Sequence, residues 1–167
     1  MRALTNDLLR NLLDKATRIA ILCLGNELKR DDAAGILVGE SLEVKSPPDT
    51  DVFLAYQSPE AYLFKIMDQD YSHVIIVDAA ETGSDPGTIW LIDENEILEE
   101  DMSTHRIAIQ TIFQFLKKSG KKLIFIGIQR KLSGVGLERS DEILKASGIL
   151  ADMLYEIIKN IKEGQDR

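Results

Sequence analysis

Residues 18–24 read RIAILCL and run directly into residues 25–35, GNELKRDDAAG, and the fold turns on how this join is read. The first stretch has the length and branched apolar content of a strand buried on both faces, as the central strands of parallel sheets are. The second opens with turn formers, Gly25 and Asn26, and brings two adjacent acids, Asp31 and Asp32, shortly after the strand ends. In an open α/β sheet the loops leaving the carboxyl ends of the strands are where ligands bind. The acid pair thus stands where chemistry is expected.

Working outward, residues 33–44 place Ala34, Leu37, Val38 and Leu42 at helical spacing, with Asp32 at the helix start, where the macrodipole favours a carboxylate. Pro47 and Pro48 break the chain before a second strand over residues 51–55, and Pro59 opens a helix that ends near Asp68. Residues 73–79, HVIIVDA, form the clearest buried strand and carry Asp78 at its end. Residues 88–92 follow after a connection too short for a helix, which predicts an antiparallel edge strand. A helix over Arg106–Lys118, a strand over Lys122–Gln129 and a long helix over residues 140–162 complete the series. Upstream, Leu8, Leu9, Leu12 and Leu13 predict an amphipathic helix over residues 5–16 that packs on the sheet.

Strands alternating with helices imply βαβ units. The expected fold is α/β, a three-layer α/β/α sandwich whose mostly parallel twisted sheet of about five strands has helices on both faces. Residues 1–167 read as a single domain, with residues 1–17 a helical extension of the domain proper at residues 18–162. No internal repeat or linker interrupts it.

The 167 residues carry a formal net charge of −8, which makes contact with nucleic acid or an anionic membrane repulsive and leaves protein as the expected macromolecular partner. Cys23 is the single cysteine, which excludes a disulfide framework and a cysteine-based zinc site. The charged first helix is not a secretory signal and no apolar run is long enough to span a membrane, so a cytoplasmic location is expected.

In such a sheet Asp31 and Asp32 share one edge with Asp78. Of the two histidines, His73 starts a strand at the opposite edge, whereas His105 precedes a helix on the same edge as the acids. Two carboxylates and one imidazole would offset the charge of a divalent cation and leave positions open for water or substrate. Plainer roles are also available: Asp78 as a turn former, Asp31 as a solvated loop acid, Cys23 as core and Trp90 as edge packing. A phosphoacceptor receiver domain also pairs acids after its first strand with an Asp ending its third, and Lys131 would be its partner lysine. A binding protein without catalysis is a third class. Nucleotide binding lacks its motifs, since residues 25–27 form neither a lysine-bearing phosphate loop nor a Gly-x-Gly-x-x-Gly turn.

The ordered set Gly25-Asn26, Asp31-Asp32 with Gly35, Val77-Asp78-Ala79, Asp85-Pro86-Gly87, Thr104-His105 and Gly127-Ile128-Gln129 resembles the nickel-iron hydrogenase maturation endopeptidases, most of all the hydrogenase 3 branch. The resemblance spans residues 19–158. It implies an α/β/α sandwich and an aspartic-type endopeptidase. Its implied partner is the precursor of a nickel-iron hydrogenase large subunit, from which it removes a C-terminal extension after nickel insertion. It further implies that Asp32, Asp78 and His105 are the catalytic and metal-binding residues and that nickel arrives with the substrate. A monomer is expected. Ala33 stands where the family usually has Gly, a position that would need positive φ. The N-terminal helix lies outside what the resemblance explains.

Overall fold

The computed structural model describes residues 1–99 and 106–165. Six strands, β1 (Arg2–Ala3), β2 (Ile19–Leu24), β3 (Thr50–Tyr56), β4 (His73–Ala80), β5 (Ile89–Ile92) and β6 (Lys122–Gln129), form one sheet in the order β1-β5-β6-β4-β2-β3. The four central and flanking strands β3, β2, β4 and β6 are mutually parallel, with Ile19 opposite His73 and Asp78 opposite Gly127. β5 runs antiparallel to β6, as expected. It is not the edge, however, because β1 pairs with it antiparallel through Arg2 opposite Leu91, making six strands rather than five. Two residues with no apolar alternation leave no strand signature, and only the partner creates β1.

Side chains alternate across the pleat, and the core divides accordingly. Ile19, Ile21 and Cys23 of β2, with Ile75, Val77 and Ala79 of β4, face one helical layer. That layer comprises α1 (Asn6–Leu12), α2 (Ala34–Lys45) and α6 (Asp141–Gln165). Ala20, Leu22 and Leu24 of β2, with Val74, Ile76 and Ala80 of β4, meet the other layer. There α3 (Leu63–Asp68) contributes Leu63 and Ile66, while α5 (Arg106–Lys118) contributes Ile109, Ile112, Phe113 and Leu116. Both faces of the central strands are therefore buried, which explains their unbroken apolar sequence.

α1 is shorter than its periodicity predicts, but Thr5 caps it by accepting a hydrogen bond from Leu8 N at 3.2 Å. Leu9 and Leu13 are fully buried in the first core and α1 packs against α6, so residues 1–17 are built into the sandwich and contribute a strand to its sheet. A short helix, α4 (Glu94–Glu99), adds an element that carries no clear apolar stripe in sequence. Among the described residues no helix is long and apolar enough to cross a membrane.

Candidate active site

Chain order explains where the functional loops gather. From β2 the chain moves to β3 on one side, whereas from β4 it moves on to β5 and β6 on the other, so the crevice between the carboxyl ends of β2 and β4 is the switch point of the sheet. The loop after β2 carries Asp31 and Asp32, and Asp78 lies near the end of β4.

The loop is held by its own backbone. Gly25 N donates to Tyr56 O at 3.0 Å, Asn26 N to Asp32 O at 3.1 Å, and Asp32 N to Lys29 O at 3.0 Å. Asn26 Oδ1 accepts from Leu28 N at 3.0 Å, closing an Asx turn. Gly25 sits at φ +153°, and a Cβ there would approach Asp32 O to 2.5 Å, so glycine is required by conformation and by space. Gly35 is required by space alone, since a Cβ would collide with the carbonyl oxygens of Leu24 and Val77. Its absence lets the start of α2 sit directly on the ends of β2 and β4.

Asp32 is not at the first turn of an α-helix. Arg30–Ala33 form a 3₁₀ turn that leads into α2 and packs against β4, and Asp32 lies within it, 3 % exposed. Ala33 has φ −77°, so the family's usual glycine is not needed for its backbone here. Asp78 is fully buried, with Oδ1 accepting from Ala79 N at 2.8 Å. The pleat sets it in phase with Val74, Ile76 and Ala80, on the face that α3 and α5 cover. His105 lies outside the described residues; α5 begins at the next residue, Arg106. Among the described residues no three metal-binding side chains form a cluster.

Asp31 corrects the expectation of a solvated acid: it is fully buried. Its Oδ2 accepts from Lys131 N at 2.9 Å, Leu132 N at 2.7 Å and Ser140 Oγ at 2.8 Å, and its Oδ1 accepts from Ser140 N at 2.8 Å. Burial would raise its pKa, but these donors outweigh burial and hold the carboxyl below its ordinary value. One charged side chain thus fastens the loop after β6 to the acid loop. The donors are a hundred residues away in sequence, so nothing local announces the role. Ser140 meanwhile caps α6 by accepting from Ile143 N at 3.3 Å.

A second network, not foreseen from sequence, fixes the chain just beyond Asp78. Gln129, at the end of β6, accepts at Oε1 from Thr82 N and Thr82 Oγ1, both at 2.7 Å, and donates from Nε2 to Glu81 Oε1 at 3.0 Å. Arg130 Nε also donates to Glu81, at 3.0 Å, and the hydrogen bonds from Gln129 and Arg130 hold the Glu81 carboxyl below its usual range. Trp90 donates from Nε1 to Ser84 Oγ at 2.9 Å, tying β5 to the same turn. Lys131, the partner lysine of the receiver reading, pairs its ammonium with Glu142 at 2.6 Å. Cys23 is core, with burial pushing its thiol up.

Fold and site together define a mostly parallel α/β/α protein with buried acids at the switch-point crevice. The chain belongs to the HycI family of hydrogenase maturation proteases, which matches residues 36–158. It is 32 % identical to the hydrogenase 3 maturation protease of Escherichia coli over 115 residues, 68 % of this chain and 74 % of that protein. The crystal structure of the [NiFe] hydrogenase maturation protease HycI from Thermococcus kodakarensis superposes with a TM-score of 0.79 at 32 % identity, covering 91 % of this chain and 99 % of that one. The solution structure of the endopeptidase HycI from Escherichia coli gives 0.74 at 27 % identity, covering 81 % and 88 %.

Proposed function

We propose that the protein is the endopeptidase that trims the C-terminal extension of a nickel-iron hydrogenase large-subunit precursor, reading the nickel already held by that precursor. The observation that carries the reading is the burial of Asp32 and Asp78 on two elements that meet at the switch-point crevice, in a chain whose family processes hydrogenases. Buried carboxylates are costly and are kept where a charge is to be met. His105, one residue before α5, would complete a set of two carboxylates and an imidazole, donors suited to a divalent transition metal. Such a set holds the loaded precursor with its scissile segment in the crevice.

Nickel brought by the precursor supplies Lewis acidity, which polarises a carbonyl or a bound water. The protein's share is orientation: the 3₁₀ turn fixes Asp32, strand register fixes Asp78, and the Gln129 network anchors the chain that leaves the strand. Either carboxylate would serve as the base that accepts a proton from the attacking water once substrate is seated.

The test is cleavage of nickel-loaded and nickel-free precursor, followed by mass. The loaded form alone is expected to shorten; equal cleavage of both overturns nickel readout, and binding with no change in mass identifies a chaperone instead. Alanine at Asp32, Asp78 or His105 is expected to cut processing at least about 100-fold with the melting temperature retained.

A further inference from the structure

We propose that Leu28, Val135 and Leu137, carried on the joined loops 25–30 and 131–139, form a docking crest that seats an apolar patch on the folded precursor beside its scissile segment. The inference rests on the reading of this crevice as the place where a protein substrate is cut.

The two loops are joined as one unit. Gly136 N donates to Leu28 O at 2.9 Å and Arg30 N to Gly136 O at 2.9 Å, a parallel bridge outside the sheet. Arg139 donates to Glu27 O at 2.8 Å and to Leu137 O at 2.7 Å, and Asp31 fastens Lys131, Leu132 and Ser140 from beneath. On this hydrogen-bonded frame stand three large apolar side chains that folding leaves in water: Leu28 at 64 %, Val135 at 81 % and Leu137 at 73 % exposure. The bridge brings Leu28 alongside Gly136, whose chain neighbours are Val135 and Leu137. Other exposed large apolar residues, such as Val44, Phe64 and Ile149, belong to separate helices.

A grouped apolar exposure at the mouth of a site marks a protein contact, whereas scattered single residues need no explanation. The occupant follows from continuity. Leu28 lies four residues before Asp32 in the same loop, so a polypeptide whose scissile bond reaches the acid crevice lies against the crest. A pre-fastened crest binds without the entropy cost of ordering a loose loop. Docking on the body of the precursor also separates affinity from cleavage, because the crest touches no reacting atom.

The experiment compares wild type with the triple variant Leu28→Ser, Val135→Ser, Leu137→Ser, using the full-length nickel-loaded precursor. KM is expected to rise about tenfold or more with kcat within about twofold, and the direct affinity for uncleaved precursor is expected to fall in parallel. An unchanged KM and affinity, or a fall in kcat alone, overturns the crest. Loss of a wild-type dimer in sedimentation with precursor affinity unchanged also overturns it, assigning the face to self-association. Should the triple variant unfold, Val135→Ser alone serves, with a smaller loss of affinity expected and none overturning. If wild type binds but does not cut the loaded precursor, the cleavage reading fails while the binding comparison still decides the crest.

Discussion

Asp31 and Asp32 are adjacent acids with separate tasks. Asp31 spends its oxygens on donors from Lys131, Leu132 and Ser140, while Asp32 lies in a turn packed against the strand that carries Asp78. Asparagine at position 31 would keep the shape but turn an amide NH₂ toward backbone donors and remove the charge that strengthens each bond. Asp31→Asn is expected to destabilise by about 2–3 kcal/mol, measured by chemical denaturation. Processing is expected to weaken as well, because the loop after β6 loses its fastening. A variant with wild-type stability would show that the four bonds count for little.

At the scale of elements, α1 and β1 are the parts that family resemblance leaves unexplained, and packing accounts for them. β1 covers β5, which would otherwise present an unpaired edge, and an uncovered edge invites pairing with another chain. α1 fills the first core with Leu9, and its C-cap residue Leu13 joins it there. Leu9→Ala is therefore expected to cost about 2–4 kcal/mol in global unfolding, the range for a buried leucine. A cost below about 0.5 kcal/mol, the range for surface changes, would mark α1 as an appendage. The periodicity of Leu8, Leu9, Leu12 and Leu13 predicts the helix, yet its place against α6 depends on contacts some 140 residues away in the chain.

At the scale of the whole molecule, the acid crevice lies at one end of the sheet and His73 at the other. His73 is 5 % exposed, and its Nδ1 lies 2.9 Å from Ser72 Oγ, whose hydroxyl is also 3.1 Å from Arg18 O. Burial first, then the ammonium groups of Lys122 and Lys162, hold the imidazole below its ordinary pKa. The unfolded chain therefore binds the proton more readily, and stability contributed by neutral His73 is complete above the unfolded value of about 6.5 and is lost as pH falls through the folded one. Asp31, also depressed, adds a second loss at more acid pH, as pH falls from the ordinary carboxylate value through the folded one. Melting temperature is expected to fall between about pH 7 and pH 5, and His73→Gln is expected to flatten that slope. An unaltered slope would exclude His73 as its source.

Sequence alone determined the types of most elements and their order, because periodicity and turn residues act over a few positions and the apolar strands had only one way to be buried. It also placed Asp32 and Asp78 at one edge, since parallel strands must all end on the same side, while His105, expected beside them, lies outside the described residues. Tertiary structure decided what local pattern does not encode. A two-residue strand exists only through its partner, Ala33 takes an ordinary helical φ in its turn, Lys131 pairs with Glu142, and Asp31 is buried by donors from a loop that closes over it. The strand pairing and the Asp31 bonds join residues far apart in the chain, which meet only because the sheet brings their segments together.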